Sequence, residues 1–185
     1  MNPSIQAAFP SMRQFATWDT VNVGTGFSFS NRNLDAVGSG WHIVRATLGK
    51  SIDKWFCGYQ FQNAGTYPMV GFCNGSANLN YYLGADTNSW GYYGYDGRLY
   101  NSGTSYAYGS TFNNGDVIEL FLDCVNNQFT FYKNGTSQGA VSNTLSGQVI
   151  YPASNDYSAM TIRFNPGDTA FTASVPAGCH RGIYI

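Results

Sequence analysis

Apolar residues recur at every second position over much of the chain, which is the period of a β-strand with one buried face. The period is clearest from Asp116 to Asp123, where Ile118, Leu120 and Leu122 alternate with more varied neighbours. In a strand these three side chains lie on one face, and that face is fully apolar. The alternation therefore predicts a strand that covers a hydrophobic core.

Turn signals connect this strand to others. A second alternating run, Phe129 to Tyr132, is followed at once by Asn134-Gly135. An Asn-Gly pair favours a tight hairpin because both residues tolerate the positive φ of a type I′ turn. Residues 113–139 are therefore predicted to form a β-meander, and Asp96-Gly97 predicts another hairpin upstream.

The rest of the chain shows the same organisation. Turn signals return at intervals of about ten residues with no long helical period between them, as expected of an antiparallel sandwich. No shift in composition marks a linker to a second domain. The further predicted strands are Phe27–Ser30, Leu34–Val37, Trp41–Leu48, Lys54–Gln62, Val70–Cys73, Tyr81–Leu83, Trp90–Tyr95, Arg98–Tyr100, Val149–Ala153 and Ala159–Phe164.

The two ends of the chain differ from its middle. Residues 1–17 are polar, include Pro3 and Pro10 and show no sustained period, which predicts an extended arm. The arm either packs against the domain or reaches a neighbouring subunit, and the sequence leaves both open. Residues 18–171 are predicted to form the sandwich, and residues 172–185 a C-terminal tail.

Composition agrees with this fold class and excludes several functions. Of the 185 residues, 17% are aromatic and only 10% are charged. A net charge of -1 without a Lys/Arg cluster argues against nucleic acid as a partner. No apolar run is long enough for membrane insertion. The first residues lack the order of a secretory signal, so the protein is expected to be made in a cytoplasm and not secreted.

The cysteines show no metal-binding or redox spacing. Cys57 shares a predicted strand face with Trp55, Tyr59 and Phe61, which favours a buried thiol over a disulfide. The four cysteines are Cys57, Cys73, Cys124 and Cys179.

Catalytic residues are not predicted. A glycosidase needs two carboxyl groups placed across a sugar, and the only glutamate is Glu119, in the middle of a strand. Asp116 and Asp123 bracket that strand and are better explained as turn residues. His42 and His180 stand near no nucleophile motif, so both are interpreted as surface or packing residues.

No cofactor or metal ion is predicted either. Asp86-Thr87-Asn88 offers oxygen ligands for calcium, but the remainder of an EF-type loop is missing. A polar turn explains these three residues better, because Asp and Asn favour turns in any case.

The order of the motifs resembles the SPRY (B30.2-like) domain over about Phe27 to Phe171. The motifs are KWFCGYQF, VGF, LGADTNSWGYY, GRLYN, FNNGDVIELFLD, FTFYKNGTSQG, YPA and TIRFNPG. The resemblance implies a bent sandwich of two antiparallel sheets, similar to concanavalin. Position 58 is glycine, whereas many SPRY strands carry glutamate at this point. No RING, B-box or SOCS-box segment accompanies the motifs, so the role of a ubiquitin adaptor is not implied.

The Asn-, Gly- and Ser-rich style of the chain resembles the stand-alone SPRY domains of tailed bacteriophages. This likeness implies a non-catalytic virion accessory protein of the head or tail, made in the host cytoplasm. Its partners would be other virion proteins and further copies of itself. Tyr92, Tyr93 and Tyr95 are too close in sequence to all face the core, so some are predicted to be exposed or covered by another chain.

The resemblance to SPRY domains also implies a ligand surface. Peptide-binding SPRY domains hold their ligand between four loops, which motif order places here at Asn31–Gly40, Gln62–Pro68, Asn74–Asn80 and Ser154–Ser158. Mixed amide and aromatic side chains suit either a peptide or a host glycan. The residues expected to meet on this surface are Arg32, Tyr67, Asn78, Asn155, Asp156 and Tyr157.

Overall fold

The computed structural model describes residues 13–185, which fold into fourteen β-strands. None of these residues belongs to a helix long and apolar enough to cross a membrane. The strands are β1 (Ser28–Ser30), β2 (Asp35–Gly38), β3 (Val44–Arg45), β4 (Lys54–Asn63), β5 (Met69–Cys73), β6 (Ser89–Tyr93), β7 (Arg98–Asn101), β8 (Thr104–Ala107), β9 (Val117–Asp123), β10 (Gln128–Lys133), β11 (Thr136–Ser142), β12 (Tyr151–Asn155), β13 (Met160–Asn165) and β14 (His180–Arg181).

Two sheets pack face to face, as the predicted sandwich requires. The larger sheet has the order β1-β2-β13-β4-β9-β10-β11, and β14 joins it beside β4. The smaller sheet has the order β3-β12-β5-β6-β7-β8. Strand pairs are antiparallel except for β14, which runs parallel to β4. The predicted fold class is therefore confirmed.

The predicted meander is present as β9, β10 and β11. Ile118, Leu120 and Leu122 are at most 3% exposed and face the core between the sheets. Asn134 and Gly135 adopt φ values of 48° and 83°, so both turn residues take the positive φ that the hairpin requires. The local sequence therefore predicted this part of the fold correctly.

The core is largely aromatic. Trp55, Cys57, Tyr59 and Phe61 of β4 all point into it, as their alternation predicted. Across the sandwich, Phe129 meets a phenylalanine of β5 edge to face, with ring centroids 4.9 Å apart. Burial raises the pKa of the Cys57 thiol well above its ordinary value, so the side chain behaves as a small apolar group. All four cysteines are free thiols.

Two predicted strands differ from the structure. The run Trp41–Leu48 is reduced to the two residues of β3, because much of its backbone bonds to loops: the N–H of Ile43, for example, donates to the Leu79 carbonyl at 2.7 Å. Tyr81–Leu83 is a loop, since the N–H of Leu83 donates to the side chain of Asn155 at 3.0 Å. Trp41–Leu48 was predicted from its alternation and Tyr81–Leu83 as a short buried strand, but bonds to loops and side chains take up much of the backbone of both.

The C-terminal residues pack on the sandwich. Ile183 is 2% exposed and belongs to the core, and β14 adds to the sheet beside Trp55. Within the described part of the predicted arm, Phe15 pairs with Tyr184, and Ala16 is fully buried. Residues 1–12 lie outside the described part of the chain. The predicted tail, residues 172–185, is thus attached to the sandwich along much of its length.

Candidate functional site

Aromatic side chains from five separate parts of the chain meet on one side of the smaller sheet. Trp41 stacks on Tyr67 with ring centroids 5.8 Å apart and meets Tyr157 at 5.2 Å. Tyr67 and Tyr157 are themselves 5.9 Å apart. We call this group the aromatic surface. Its members are Trp41, Tyr67, Tyr81, Tyr82, Tyr93, Tyr95, Tyr100 and Tyr157.

Strand register places one half of the aromatic surface. Met69 of β5 lies directly opposite Tyr93 of β6, and Gly91 of β6 lies opposite Tyr100 of β7. Since Tyr92 between them points into the main core, these residues point to the outer face of the sheet. That face carries its own smaller hydrophobic cluster, which includes Met69.

Gly91 allows a loop to pack directly on this outer face. A Cβ atom at position 91 would lie 2.6 Å from the Met69 Cε atom and 2.7 Å from the Leu83 carbonyl oxygen, closer than real atoms approach. The absence of a side chain lets the loop between β5 and β6 lie flat, with Leu83 fully buried. This loop brings Tyr81 and Tyr82 beside the tyrosines of the strands.

Several rings of the aromatic surface remain open to solvent. Tyr95 is 66% exposed, Tyr157 54% and Tyr81 50%. Soluble proteins seldom leave such large aromatic side chains together in water unless something binds there. The surface is therefore the strongest candidate for a binding site in the described chain.

A buried carboxylate connects two of the loops beneath these rings. Asp156 is 1% exposed. Its Oδ1 atom accepts hydrogen bonds from the backbone N–H of Tyr67 at 3.2 Å and of Ser158 at 2.9 Å, and from the Ser158 hydroxyl at 3.2 Å. The Gly40 N–H donates to the Tyr157 carbonyl at 2.8 Å. Asp156 thus fixes the relative positions of Tyr67 and Tyr157.

Asp156 is expected to make stability depend on pH. Burial raises its pKa to about 6, and the hydrogen bonds from Ser158 and Tyr67 oppose that effect only in part. An unfolded aspartate has a pKa of about 3.9. Between these values the folded chain binds more protons than the unfolded chain, so this group's contribution to stability falls as the pH rises from about 4 to 6. Urea unfolding gives the free energy of unfolding at each pH. Plotted against pH over that range, it should have a more positive slope for Asp156→Asn than for the wild type, and parallel slopes would contradict the prediction.

Asn155 is a second buried support. It is 0% exposed, and its Oδ1 atom accepts the hydrogen bond from the Leu83 N–H that anchors the loop carrying Tyr82. Asn155 and Asp156 were expected on the ligand surface, but the structure places both beneath it. The reason is that β12 extends to Asn155, so the loop that follows begins later than the predicted Ser154–Ser158.

Arg32 lies away from the aromatic surface. The predicted loop Asn31–Gly40 contains β2, which separates the turn that holds Arg32 from the end of the loop that contacts Tyr157. Arg32 instead lines a polar cavity of about 320 Å³ on the outer face of the larger sheet, together with Glu119. The expectation that all six residues share one surface is therefore wrong for Arg32.

Asn78 lies at the edge of the aromatic surface. Its side chain is exposed and accepts a hydrogen bond from the Asn80 N–H at 3.1 Å. Its carbonyl accepts one from Tyr81 at 3.2 Å, which places it directly beside the first ring of that loop. Of the six predicted residues, the structure brings Tyr67, Asp156 and Tyr157 into contact and leaves Asn78 on the border.

Sequence reasoning missed much of the aromatic surface. It did predict that Tyr92, Tyr93 and Tyr95 could not all be buried, and Tyr92 is fully buried while Tyr95 is exposed. The signal for part of the rest was the density of tyrosine between residues 90 and 108, together with one tryptophan before β3. No such signal marked Tyr81 and Tyr82, which lay in a predicted strand. The members not assigned to the ligand surface from sequence are Trp41, Tyr81, Tyr82, Tyr93, Tyr95 and Tyr100.

The other candidate residues have structural partners. Asp116 accepts hydrogen bonds from the Asn113 N–H at 2.9 Å and the Asn134 side chain at 2.7 Å. Asp123 accepts the Asn126 N–H at 2.9 Å and forms an ion pair with a lysine of β4 at 3.0 Å. Both carboxylates therefore stabilise turns, as predicted. Although burial acts to raise the pKa of Asp116 and of Asp123, these hydrogen bonds lower it.

Glu119 also binds backbone. Its two carboxylate oxygens accept the N–H groups of Thr172 and Ala173 at 2.6 and 2.8 Å. The side chain is 0% exposed, and burial raises its pKa while the two hydrogen bonds act to lower it. Glu119 thus holds the beginning of the C-terminal segment against the larger sheet.

Histidine and loop residues show similar packing roles. His42 hydrogen-bonds Thr25, and His180 stacks on Trp55 with ring centroids 4.1 Å apart. The Oδ1 atom of Asp86 accepts the Asn88 N–H at 2.8 Å, which closes a polar turn. From residue 13 to residue 185, no three His, Cys, Asp or Glu side chains are grouped closely enough to hold a metal ion.

Comparison with known families agrees with this geometry. Residues 55–169 match the SPRY domain. The chain belongs to the SPRY domain family. SPRY domains mediate protein–protein interactions.

Curated relatives share the SPRY domain of this chain over part of their length. Ran-binding protein 10 of Danio rerio is 38% identical over 87 residues, covering 46% of this chain and 14% of the relative. Ran-binding protein 9 of Homo sapiens is 40% identical over 74 residues, covering 40% and 10%. SPRY domain-containing SOCS box protein 3 of Xenopus laevis is 34% identical over 95 residues, covering 48% and 26%. The matched region is thus a small part of each relative.

Solved SPRY structures show the same fold. The SPRY domain of human HERC1 superimposes with a TM-score of 0.69 at 17% identity and covers 83% of this chain and 99% of its own. A human SPRY domain gives 0.63 at 21% identity and covers 76% and 97%. At these identities the likeness establishes the fold and leaves the ligand to be argued from this chain's own residues.

Proposed function

We propose that this chain is a non-catalytic recognition module that binds a segment of a partner protein across the aromatic surface. The observation that carries the proposal is the meeting of eight aromatic rings, from five parts of the chain, on one partly exposed surface. Tyrosine and tryptophan dominate the binding energy of many protein interfaces, because they bury a large apolar area and keep a polar tip.

The support beneath the rings favours binding to a preformed surface. Asp156 and Asn155 hold three loops through hydrogen bonds to backbone N–H groups, and both side chains are buried. A surface fixed before the ligand arrives loses little conformational entropy on binding. Membership in a family of interaction modules points in the same direction.

Tyr157→Ala is expected to weaken peptide binding by about tenfold or more, because losing a central aromatic contact costs on the order of 1.4 kcal/mol or more. A random peptide display library selected on the wild-type chain supplies the ligand, and isothermal titration measures its affinity. The control is Tyr106→Ala on β8, where the side chain is 47% exposed but lies outside the aromatic surface. Equal affinity of the selected peptides for wild type and Tyr157→Ala would contradict the proposal.

A host glycan is the alternative that the sequence left open. Sugar rings also stack on tyrosine and tryptophan, so the aromatic faces alone fit both ligands. A glycan array probed with the same three proteins separates the two. If the wild type bound a glycan through Tyr157 and the library yielded no peptide, the ligand would be a glycan and not a protein segment.

We also propose a setting for this module, namely a tailed-phage virion assembled in the host cytoplasm. The support for it is the style of the sequence and its low charge, while the curated relatives named above are vertebrate proteins. Mass spectrometry of purified particles should detect the chain, and its absence there would contradict this setting.

Self-association is part of the same proposal. The edge strand β11 has the sequence TSQGAVS and carries no charged side chain. Natural edge strands resist pairing with another chain through charges, bulges or covering segments. Here charge is missing, and an irregularity near Gly139 interrupts the register of β11 with β10. Sedimentation velocity should show a species larger than a monomer that Ala140→Lys on β11 dissociates. A monomer at high concentration would contradict the oligomer.

A further inference from the structure

One part of the aromatic surface has the shape of a box. Trp41 meets Tyr82 at 62° with centroids 5.6 Å apart, Tyr82 meets Tyr100 at 88° and 6.4 Å, and Tyr100 meets Tyr93 at 86° and 5.6 Å. Rings placed at steep angles to one another enclose a space instead of stacking into a flat wall. The space is a cavity of about 340 Å³, here called the aromatic cage. It is lined by Trp41, Met69, Tyr81, Tyr82, Tyr93 and Tyr100.

The electrostatics of the aromatic cage favour a cation. The lining contains no charged side chain, and the faces of aromatic rings carry partial negative charge. Asp96 stands beside it and accepts a hydrogen bond from the Tyr100 hydroxyl at 3.3 Å. Arg98 is the nearby positive charge, and it is engaged with Ser105, where its Nε atom donates to the hydroxyl at 3.0 Å.

The phenols of Tyr93 and Tyr100 in the cage stay neutral at physiological pH. Burial raises the pKa of Tyr93 and of Tyr100, and the charge of Asp96 raises both further. A neutral phenol keeps the ring quadrupole that attracts a cation.

We propose that the aromatic cage binds a methylated ammonium group, specifically a trimethylated lysine side chain of the partner protein. The proposal rests on the proposed function and names the anchor of the bound segment. An unmodified lysine ammonium is strongly hydrated and would lose that water for a lining without carboxylates. A trimethylammonium group spreads its charge over an apolar surface, and cages of aromatic rings recognise it by cation–π attraction.

The test compares three capped tripeptides, Gly-Lys-Gly, by isothermal titration against the full chain. One carries trimethyl-lysine, one unmodified lysine, and one the neutral analogue in which a tert-butyl group replaces trimethylammonium. We expect the trimethylated peptide to bind at least about tenfold more tightly than either of the others, a difference of about 1.4 kcal/mol. Equal binding of the neutral analogue would overturn the proposal, because shape and not charge would then explain the affinity. No binding of the trimethylated peptide would also overturn it.

Matched variants assign the binding to the aromatic cage. Tyr93→Ala is expected to abolish the preference for trimethyl-lysine, whereas Tyr100→Phe keeps the ring and should retain most of it. Asp96→Asn preserves an acceptor for the Arg98 N–H at the turn and should lower affinity for the cation several-fold without changing that for the neutral analogue. Tyr106→Ala is the unaffected control. A preference that survives Tyr93→Ala would place the binding elsewhere and overturn the proposal.

Two further arms identify the source of the cation and separate this proposal from the broader one. Phosphatidylcholine vesicles carry the same trimethylammonium group, so their binding in the absence of peptide binding would overturn the assignment to a protein partner. Selected library peptides that depend on Tyr157 but gain nothing from trimethylation would leave the proposed function standing and refute the cage. If the selected peptides neither depended on Tyr157 nor gained affinity from trimethylation, the proposed function itself would be refuted.

Discussion

Trp18→Ala is expected to destabilise the chain by about 3–5 kcal/mol, the range observed when a large aromatic side chain is removed from a packed core. Trp18 is 0% exposed and packs on Phe164 and Tyr59, with ring centroids 4.8 and 6.4 Å away. It also bridges to Ala46, so it connects the start of the sandwich to the segment that follows β3. Urea unfolding followed by tryptophan and tyrosine fluorescence measures the loss.

Two companion variants test the cause. Val21→Ala changes a side chain three residues away that is 83% exposed, and it should leave stability within about 0.5 kcal/mol of the wild type. Trp18→Phe keeps most of the packing and removes an indole N–H that is buried without a partner in the described chain. It should cost less than half of the alanine loss. If Trp18→Ala unfolded at the same urea concentration as Val21→Ala, Trp18 would not be a core residue.

The strands that the sequence predicted best are those whose information is local. In β9 and β10 the alternation and the flanking turns favour the same structure, and the Asn134-Gly135 pair forms the expected hairpin between β10 and β11. On β4, Trp55 and Phe61 begin and end a run of four side chains that face the core. Such agreement between local pattern and tertiary structure makes an element predictable.

Elements fixed by distant partners were not predictable in this way. Residues 81–83 form a short apolar run that predicted a buried strand, yet their loop is held by Asn155, 72 residues away. β14 has only two residues and pairs with β4 through a parallel contact that no local pattern encodes. In both cases the deciding hydrogen bonds connect parts of the chain that a sequence window cannot contain together.

The aromatic surface shows the same limit. Asn155 and Asp156 read as polar loop residues, because a sequence does not show that a carboxylate will be buried when remote backbone N–H groups satisfy it. The donor from Tyr67 is 89 residues from Asp156. Exposure of some tyrosines, in contrast, followed from their adjacency, since neighbours on a strand face opposite ways. The exposed tyrosines were therefore easier to suspect than the buried residues that support them.

Glu119→Ala is expected to destabilise the chain by about 1–3 kcal/mol, because the buried Ala173 N–H and the partly buried Thr172 N–H lose their acceptors, and a buried N–H left unpaired costs roughly that much. The substitution also removes the free-energy cost of burying the carboxylate, which offsets part of the loss and sets the lower bound. The groups belong to Thr172 and Ala173, so the segment that they begin should loosen first. Limited proteolysis with mass spectrometry should detect new cleavage beyond Phe171, and urea unfolding should give the loss of stability.

Glu119→Gln separates a structural role from a catalytic one. Glutamine keeps one acceptor for one of the two N–H groups but opposes the other with its own amide, so about half of the alanine loss is expected. Asp168→Ala is the control, because that aspartate is exposed and lies near the same cavity. If both Glu119 variants matched the control in stability while a glycosidase activity of the wild type disappeared, the carboxylate would act on a substrate and the structural assignment would be wrong. Loss of stability in the order alanine, glutamine, control would instead show that the one glutamate of this chain serves to attach its C-terminal segment to the sandwich.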